Sequence, residues 1–596
     1  MTNSLAQGTE AELEAIVASL QQSDRPLTPF HWEIEFPEVF DRKNPGFDAI
    51  VGNPPFLGGT MISGAYSKEY LEWITSQFPE TGNRTDFVAY FFRRAFNLTR
   101  DSGSCGLIAT NTIAQGDTRK SGLRWICAHG GTIYEAYKRL KWPGLAAVAV
   151  SVIHVYKGKI DSPYRLDGKN VQKITAFLFH AGGNEDPKKL SFHSGRAFSG
   201  VKHYGDGFLF EDGKEKSTSI EIMQALIDKD PKNKERIFPF IGGEEVNASP
   251  TQSHHRFIIN FGEMSEDEAW NWPDLMHIIE AKVKPERLSK SADIANWPWW
   301  RFWRVRRELY DSIKDMDRVL VNSIVSAQFC FAFLPSDWVY SHALNVITFS
   351  QSSVFSIFQS QVHEVWARFF SSSLEDRLRY TPSDCLETFP FPENWETDSA
   401  LEEIGKAYYE YRADLMVRKN EGLTATYNRF HDPHEDDPDI LKLRELHDQM
   451  DRAVLDAYGW TDILGSERSR TPCGFALDYL DAEPEDLPTQ AQERVESGDL
   501  FFPTAEEAAA FDVLVRSNQA KRGKLPWRYK WPEAIHDDVL ARLLDLNQKR
   551  YDEEVRLGLH GNAKAIGKGT TKQKGTAKKK GEIIKEDQQG ELLFSG

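Results

Sequence analysis

The spacing of apolar positions changes character along the first 160 residues. Glu10–Leu20 predicts a short acidic helix that gives way before Pro26 and Pro29, and Thr9 followed by Glu12 has capping-box spacing at its start. Phe47–Val51 is a short apolar run stopped by Gly52, the pattern of a buried parallel strand. Thr85–Leu98 has helical spacing, with Thr85 or Asp86 placed to cap it. Gly106–Ile113 predicts another buried strand, Arg119–Ala128 a helix, Gly131–Lys138 a strand, and Leu145–Tyr156 a strand rich in Val and Ala. Strand, loop, helix, strand, helix, strand, strand is half of a doubly wound α/β sheet that ends in a hairpin.

Beyond this series the texture varies. Residues 1–30 hold the acidic helix, 31–160 the strand–helix series, and 161–235 a mixed, Gly-rich connection. Residues 236–392 are dense in aromatic and basic positions and close on Phe389-Pro390-Phe391-Pro392. Residues 393–560 read as helical and charged, with a basic aromatic stretch at Lys521–Trp531. Residues 561–596 begin as a Gly/Lys/Thr low-complexity tail, expected to be disordered.

With 596 residues, several domains are expected, and 40% hydrophobic content is enough to build real cores. There is no apolar run long enough to span a membrane, and Met1–Pro26 is polar, which argues against a secretory signal. Five scattered cysteines without Cys-x-x-Cys spacing exclude a disulfide scaffold and a zinc knuckle and point to a reducing cytoplasm. A net charge of −17 argues mildly against nucleic acid, but only the field at a local groove decides that question.

The stretch richest in chemistry is Asp48 to Phe56. An apolar strand runs into Asn53-Pro54-Pro55-Phe56, where two prolines fix the backbone beside a polar amide and an aromatic ring. Loops at the carboxyl ends of parallel strands are where open α/β sheets place their sites. The Asn53 side-chain oxygen and a proline carbonyl can both accept hydrogens from one amino group. Holding both hydrogens of a ring-conjugated amine would localise its lone pair toward an incoming methyl group. Phe56 can stack on the same base once it has left the duplex. The plainer reading of this segment is an ordinary Asn-Pro turn.

Residues 47–156 resemble the adenine-specific, amino-methylating DNA methyltransferases of the gamma class. They look most like the type IIG-like restriction–modification and DISARM-like phage-defence methylases. Asn53-Pro54-Pro55-Phe56 matches that family's catalytic tetrapeptide, Asp86-Phe87-Val88-Ala89-Tyr90 its following helix, and Gly106 to Asn111 its next strand and loop. Trp142-Pro143-Gly144 matches an element whose ring takes the opposite face of the flipped adenine, so that Trp142 and Phe56 would sandwich the base. The resemblance implies a partial class I (Rossmann-like) methyltransferase sheet of the α/β class, an α+β target-recognition domain and a helical C-terminal region. It also implies S-adenosyl-L-methionine as cofactor, with Asp48, Asp86, Phe87 and Asn111 near it, and no metal. The family's Gly-rich cofactor turn precedes its catalytic loop, and nothing in Met1–Gly52 matches it. Two explanations stay open: a companion chain that supplies the cofactor half, or an inactive DNA-binding specificity subunit of a defence complex.

Residues 236–392 resemble, more loosely, the target-recognition domain of such enzymes, which implies double-stranded DNA as partner and a nucleoid-associated place in a bacterial cytoplasm. The candidate DNA-binding residues are Arg256, Arg301, Arg304, Arg306, Arg307, Arg377 and Arg379; Arg suits phosphate forks and guanine edges. The alternative is that the tryptophans of Trp297–Arg307 form a core and the arginines pair with carboxylates. The tail ends in Gln589-Gly-Glu-Leu592-Leu593-Phe594, which resembles peptides that dock sliding clamps.

Overall fold

The computed structural model describes residues 10–22, 30–141, 149–161, 163–374, 377–464, 473–477, 480, 487–497, 500–517 and 524–560. After helix α1 (Glu10–Gln21), the chain enters a six-stranded sheet. Its strands are β1 (Phe47–Gly52), β2 (Thr99–Thr110), β3 (Gly131–Lys141), β4 (Ala149–Lys157), β5 (Tyr164–Leu166) and β6 (Lys169–Val171). They lie side by side in the order β1-β2-β4-β3-β5-β6. β1 is parallel to β2, while β4 runs antiparallel to both β2 and β3, so the expected closing hairpin is present. β2 begins earlier than the apolar pattern suggested, at Thr99, because its first residues are polar and edge-like.

Helix α2 (Phe87–Leu98) buries Val88, Phe92 and Phe96 against Leu107 and Ile153 of the sheet. The segments Gly116–Arg119, Lys120–Arg124 and Trp125–Ala128 run on as one helix with a π turn in the middle, packed on the same core. One expectation fails here. β1 is not a buried strand: among the described residues it is one of the sheet's two edge strands, and Val51 is 86% exposed. An apolar run that reads as buried on both faces finds a neighbour on one side only.

Two four-stranded sheets follow. One runs Val339–Tyr340, Ile237–Ile241, Arg256–Ile259, Leu209–Phe210; the other runs Ala332–Pro335, Arg318–Ser323, Leu344–Ile347, Ala197–Ser199. Both recruit a strand from before residue 236, so the sheets extend into the connecting stretch. Helices α3 (Gln361–Phe370), α4 (Ser399–Lys419), α5 (Pro438–Ala457) and α6 (Glu533–Arg556) complete the body.

The C-terminal region departs from the helical expectation by forming a three-stranded sheet of Phe501–Phe502, Gly474–Leu477 and Trp527–Lys530. Nor is it an appendage. One apolar core runs from Phe177 through Val319 and Trp366 to Leu544, and the Asn547 amide bonds Lys188 at both its backbone N and O and Thr388 at its carbonyl. All five cysteines are free thiols. No described helix is long and apolar enough to cross a membrane. Thr9 and the tail from residue 561 lie outside the described residues.

Candidate active site

The Asn53–Phe56 loop leaves the carboxyl end of β1, level with the middle of β2 (Gly52 pairs with Leu107). Pro54 is buried and Phe56 half-buried against the core beneath α2, whereas Asn53 and Pro55 face solvent. The fixed proline torsions and the Pro54 packing anchor the backbone; the Asn53 amide stays accessible.

Asp86 secures the far side of the loop. Its Oδ1 caps α2 by accepting from Val88 N at 3.0 Å and also accepts from Leu57 N at 3.3 Å. Phe87 N returns a bond to the Leu57 carbonyl at 2.9 Å. Asp86 N in turn donates to Thr118 Oγ1 at 3.0 Å, and Thr85 Oγ1 lies 2.7 Å from Ser121 Oγ. The loop, the start of α2 and the helical run after Gly116 are therefore one hydrogen-bonded unit. Gly59 tightens it further: a Cβ there would fall 2.3 Å from the Arg84 carbonyl carbon. The sequence reading did not single out Leu57, Gly59 and Thr118; the Gly58-Gly59 pair just after the tetrapeptide was the available signal for close backbone approach.

The remaining cofactor-side candidates separate. Asn111 opens the 3-10 turn Asn111–Ala114 directly after β2, and its Oδ1 accepts from Ser151 Oγ at 3.3 Å. It lines a cavity of about 300 Å³ with Lys138, Phe179, Phe369 and Asp537. Phe87 does not open on this space; it is 6% exposed in a small core with Ile62, Ile74 and Tyr90. Asp48 sits at the opposite end of β1 from the loop, in ion pairs with Arg100 at 2.5 Å and Arg42 at 3.1 Å. The Arg100 hydrogen bond, then that from Arg42, holds its carboxyl below the usual range. Geometry thus takes Asp48 and Phe87 away from the site. Trp142 lies outside the described residues.

A larger cleft, about 900 Å³, opens where Arg84 and the Thr112–Lys120 segment face Arg368–Ser371 and Arg377. It shares Gln115 and Phe369 with the smaller cavity, and its Arg84 lies against Gly59, just after the Asn53–Phe56 loop. Its lining mixes Arg84, Lys120, Arg368 and Arg377 with Asp117, Asp186 and Asp384, and Asp186 pairs with Arg119 and Lys120.

Residues 3–129 match the family model of the Eco57I restriction-modification methylase, and residues 193–393 match the target recognition domain of MmeI. The two matched stretches follow one another along the chain, the methylase model first and the target-recognition model second. DNA methyltransferase A of Bacillus subtilis (strain 168) is 24% identical over 490 residues, which is 75% of this chain and 50% of that protein. The type IIL restriction-modification enzyme MmeI, solved in complex with DNA, is 22% identical with a TM-score of 0.45, over 69% of this chain and 54% of that one. The type IIG restriction endonuclease BpuSI is 12% identical with a TM-score of 0.25, over 70% and 55%. This chain spans about half the length of these relatives.

Inside the target recognition domain most of the candidate arginines are occupied. Arg256 grips Glu245 at 2.5 Å, and Glu245, whose side chain is 2% exposed, also accepts from Gly242 N at 3.0 Å. Arg301 donates to the Met264 and Glu263 carbonyls, Arg306 to the Gly200 carbonyl, and Arg307 pairs with Glu263 and Asp311. Trp299 and Trp300 pack against the domain core. The carboxylate pairing expected as the alternative describes Arg256 and Arg307, whereas Arg301 and Arg306 are held by backbone carbonyls. Arg304 and Arg379 are exposed with no side-chain bond among the described residues, and Arg377 faces the cleft.

Proposed function

We propose that this chain is the catalytic and specificity part of an adenine-specific DNA methyltransferase acting in a restriction–modification or phage-defence system. The observation that carries the reading is the Asn53-Pro54-Pro55-Phe56 loop at the end of a parallel strand, with the next residue, Leu57, held by Asp86 at the start of α2. Duplex DNA would follow the cleft, with Arg84, Lys120 and Arg377 near its phosphates. A flipped adenine would reach Asn53. The Asn53 Oδ1 and the Pro54 carbonyl would each accept one hydrogen of the exocyclic amine, and Phe56 would stack on the ring with Trp142 opposite. Rate enhancement then comes from positioning and fixed dipoles.

S-adenosyl-L-methionine is the methyl source in this reading. The described residues ahead of β1 form α1 and the short helices Trp32–Glu35 and Pro37–Phe40, with no strand and Gly-rich turn among them. The described residues ahead of β1 do not by themselves form a cradle for the cofactor. The outer edge of β1, with Val51 exposed, offers a parallel strand position to a companion polypeptide that carries the cofactor cradle.

The test is co-expression with the product of the neighbouring upstream reading frame, followed by mass spectrometry of N6-methyladenine in genomic DNA. Asn53→Ala should reduce methylation on the order of 100-fold, the usual cost of removing one preorganised polar group. Undiminished methylation in that variant overturns the catalytic assignment. Calorimetry that finds no cofactor binding by the assembled pair would leave only the specificity subunit.

A further inference from the structure

The large cleft and the Asn53–Phe56 loop meet through one short strip of backbone, Gly82–Asp86. On one side the strip touches the residues that follow the loop. Gly59 comes so close that a Cβ there would fall 2.6 Å from the Thr85 carbonyl oxygen, and Asp86 Oδ1 accepts from Leu57 N at 3.3 Å. On its other side the strip lies on the helical run after Gly116. Asp86 N donates to Thr118 Oγ1 at 3.0 Å, Ser121 Oγ lies 2.7 Å from Thr85 Oγ1, and a Cβ on Gly82 would fall 2.8 Å from Asp117 Oδ2. Thr118 and Ser121 are three positions apart and so share one helix face. Thr85, Thr118 and Ser121 are all buried, where an unpaired polar group is costly.

The same helical run is a wall of the cleft, which Asp117, Thr118, Arg119 and Lys120 line together with Arg84 of the strip. Arg119 is 1% exposed; its guanidinium lies 3.8 Å over the Phe177 ring and bonds the Asn184 carbonyl and Asp186. Lys120 reaches the same Asp186 carboxylate at 2.9 Å from a side chain that is 42% exposed. The run continues into the π turn Lys120–Arg124, a rare helix geometry that is frequent at functional sites.

We propose that Thr118 is a positioning residue for methyl transfer: through Asp86 it ties the loop to the cleft wall, so that lodging duplex DNA in the cleft and placing Asn53 are coupled. This rests on the methyltransferase reading given above, yet the tie itself can be read without turnover. A phosphate entering the cleft competes with Asp186 for Lys120 and so bears on the helical run that carries Thr118. Thr118 holds the Asp86 backbone, the Asp86 carboxylate holds Leu57, and Leu57 follows directly on a loop whose two prolines leave little freedom to absorb a shift. A misplacement of about 1 Å that starts far from the reacting atoms can cost on the order of 100-fold in rate.

The experiment pairs Thr118→Val, which keeps the shape and removes the oxygen, with Thr118→Ser, which keeps the oxygen. Hydrogen exchange on the full chain reads the tie. In Thr118→Val the amides of Leu57 and Asp86 should exchange roughly tenfold faster, those of Phe92–Leu98 should stay as in wild type, and Thr118→Ser should restore the protection. A mixed-sequence DNA duplex should slow exchange at Leu57 in wild type and not in Thr118→Val. In the reconstituted assembly Thr118→Val should lower kcat roughly 10- to 100-fold while KM for DNA changes by less than about twofold, and Thr118→Ser should recover most of the loss. The proposal is overturned if Leu57 exchanges in Thr118→Val as in wild type, or if DNA leaves wild-type exchange at Leu57 unchanged. Should Thr118→Val fail to fold, the wild-type response to DNA decides alone. Failure of the methyltransferase reading looks different: Asn53→Ala then methylates as wild type does, or the assembly methylates nothing, while exchange at Leu57 still follows the residue at position 118.

Discussion

At the scale of single residues, Asp86 and Glu245 show how one carboxylate can hold a local structure in place. Asp86 Oδ1 serves a helix N-terminus and Leu57, the residue after the Asn53–Phe56 loop, at once. Asp86→Ala should cost about 1 kcal/mol, the usual value of a lost cap, and should lower methylation by the reconstituted assembly well beyond what that small destabilisation explains. Asp86→Asn keeps an acceptor and should restore both; urea unfolding beside a methylation assay separates the two effects. Glu245 is buried and neutralised by Arg256, whose side chain is only 18% exposed. Removing one partner of a buried pair leaves an uncompensated charge, so Arg256→Ala should destabilise by about 3–5 kcal/mol. Arg304→Ala removes an outward charge and should change stability by no more than about 0.5 kcal/mol. If Arg304 contacts a phosphate, that variant should also flatten the salt dependence of DNA binding by about one unit of slope. Fluorescence anisotropy across a salt series distinguishes the two arginines.

At the scale of elements, the strand–helix series was legible because β strands and α2 are long enough to show their period, and Asp86 carried a recognisable cap signal. What escaped were features fixed by distant partners. The exposure of β1 depends on what lies beside it, which no local pattern encodes. The arginines of the Trp297–Arg307 stretch find acceptors at Gly200, Glu263 and Met264, whose positions only the fold reveals. The strand Phe501–Phe502 has two residues, too few for alternation to register. Asn53–Phe56 could be picked out because its chemistry is local, whereas the large cleft is assembled from residues 84 to 388. The tight contact at Gly59 gives an element-level prediction. Gly59→Ala must push the helix Gly59–Ala65 away from the Arg84–Thr85 backbone, at a cost of about 1–3 kcal/mol. Methylation should fall with it, because the displaced helix pulls on the Leu57–Asp86 bond; a variant with full methylation would show that the loop is anchored elsewhere.

At the scale of the whole molecule, the large core that joins the target recognition domain to the C-terminal helices contains imidazoles that fold in the neutral form. His193, with Nε2 against the Phe389 carbonyl at 2.8 Å, is pushed down to about 4, chiefly by burial. His363, beside Tyr380 OH at 2.9 Å, is also driven well below the ordinary range by burial. The unfolded chain takes up protons at these positions from about pH 6.5 downward, and the folded chain does not until much lower pH. Their contribution is therefore complete above pH 6.5 and is lost as pH falls, about 3 kcal/mol for His193 by the time pH reaches its folded value. Asp537, paired with Lys138 across the boundary between the first sheet and α6, acts in a lower window. Burial would raise its carboxyl, but bonds and charges from His536 and Lys138 prevail and bring it to about 2, so its contribution fades only between pH 3.8 and 2. Acid weakening should accordingly begin on the histidine side. Urea midpoints measured at pH 7, 6 and 5 should fall step by step, and His193→Gln, which keeps a donor to the Phe389 carbonyl, should flatten that slope even if it lowers the pH 7 value. A midpoint that stays level down to pH 4.5 would mean that water or a protonated partner reaches these rings, and that the central core is looser than its burial implies.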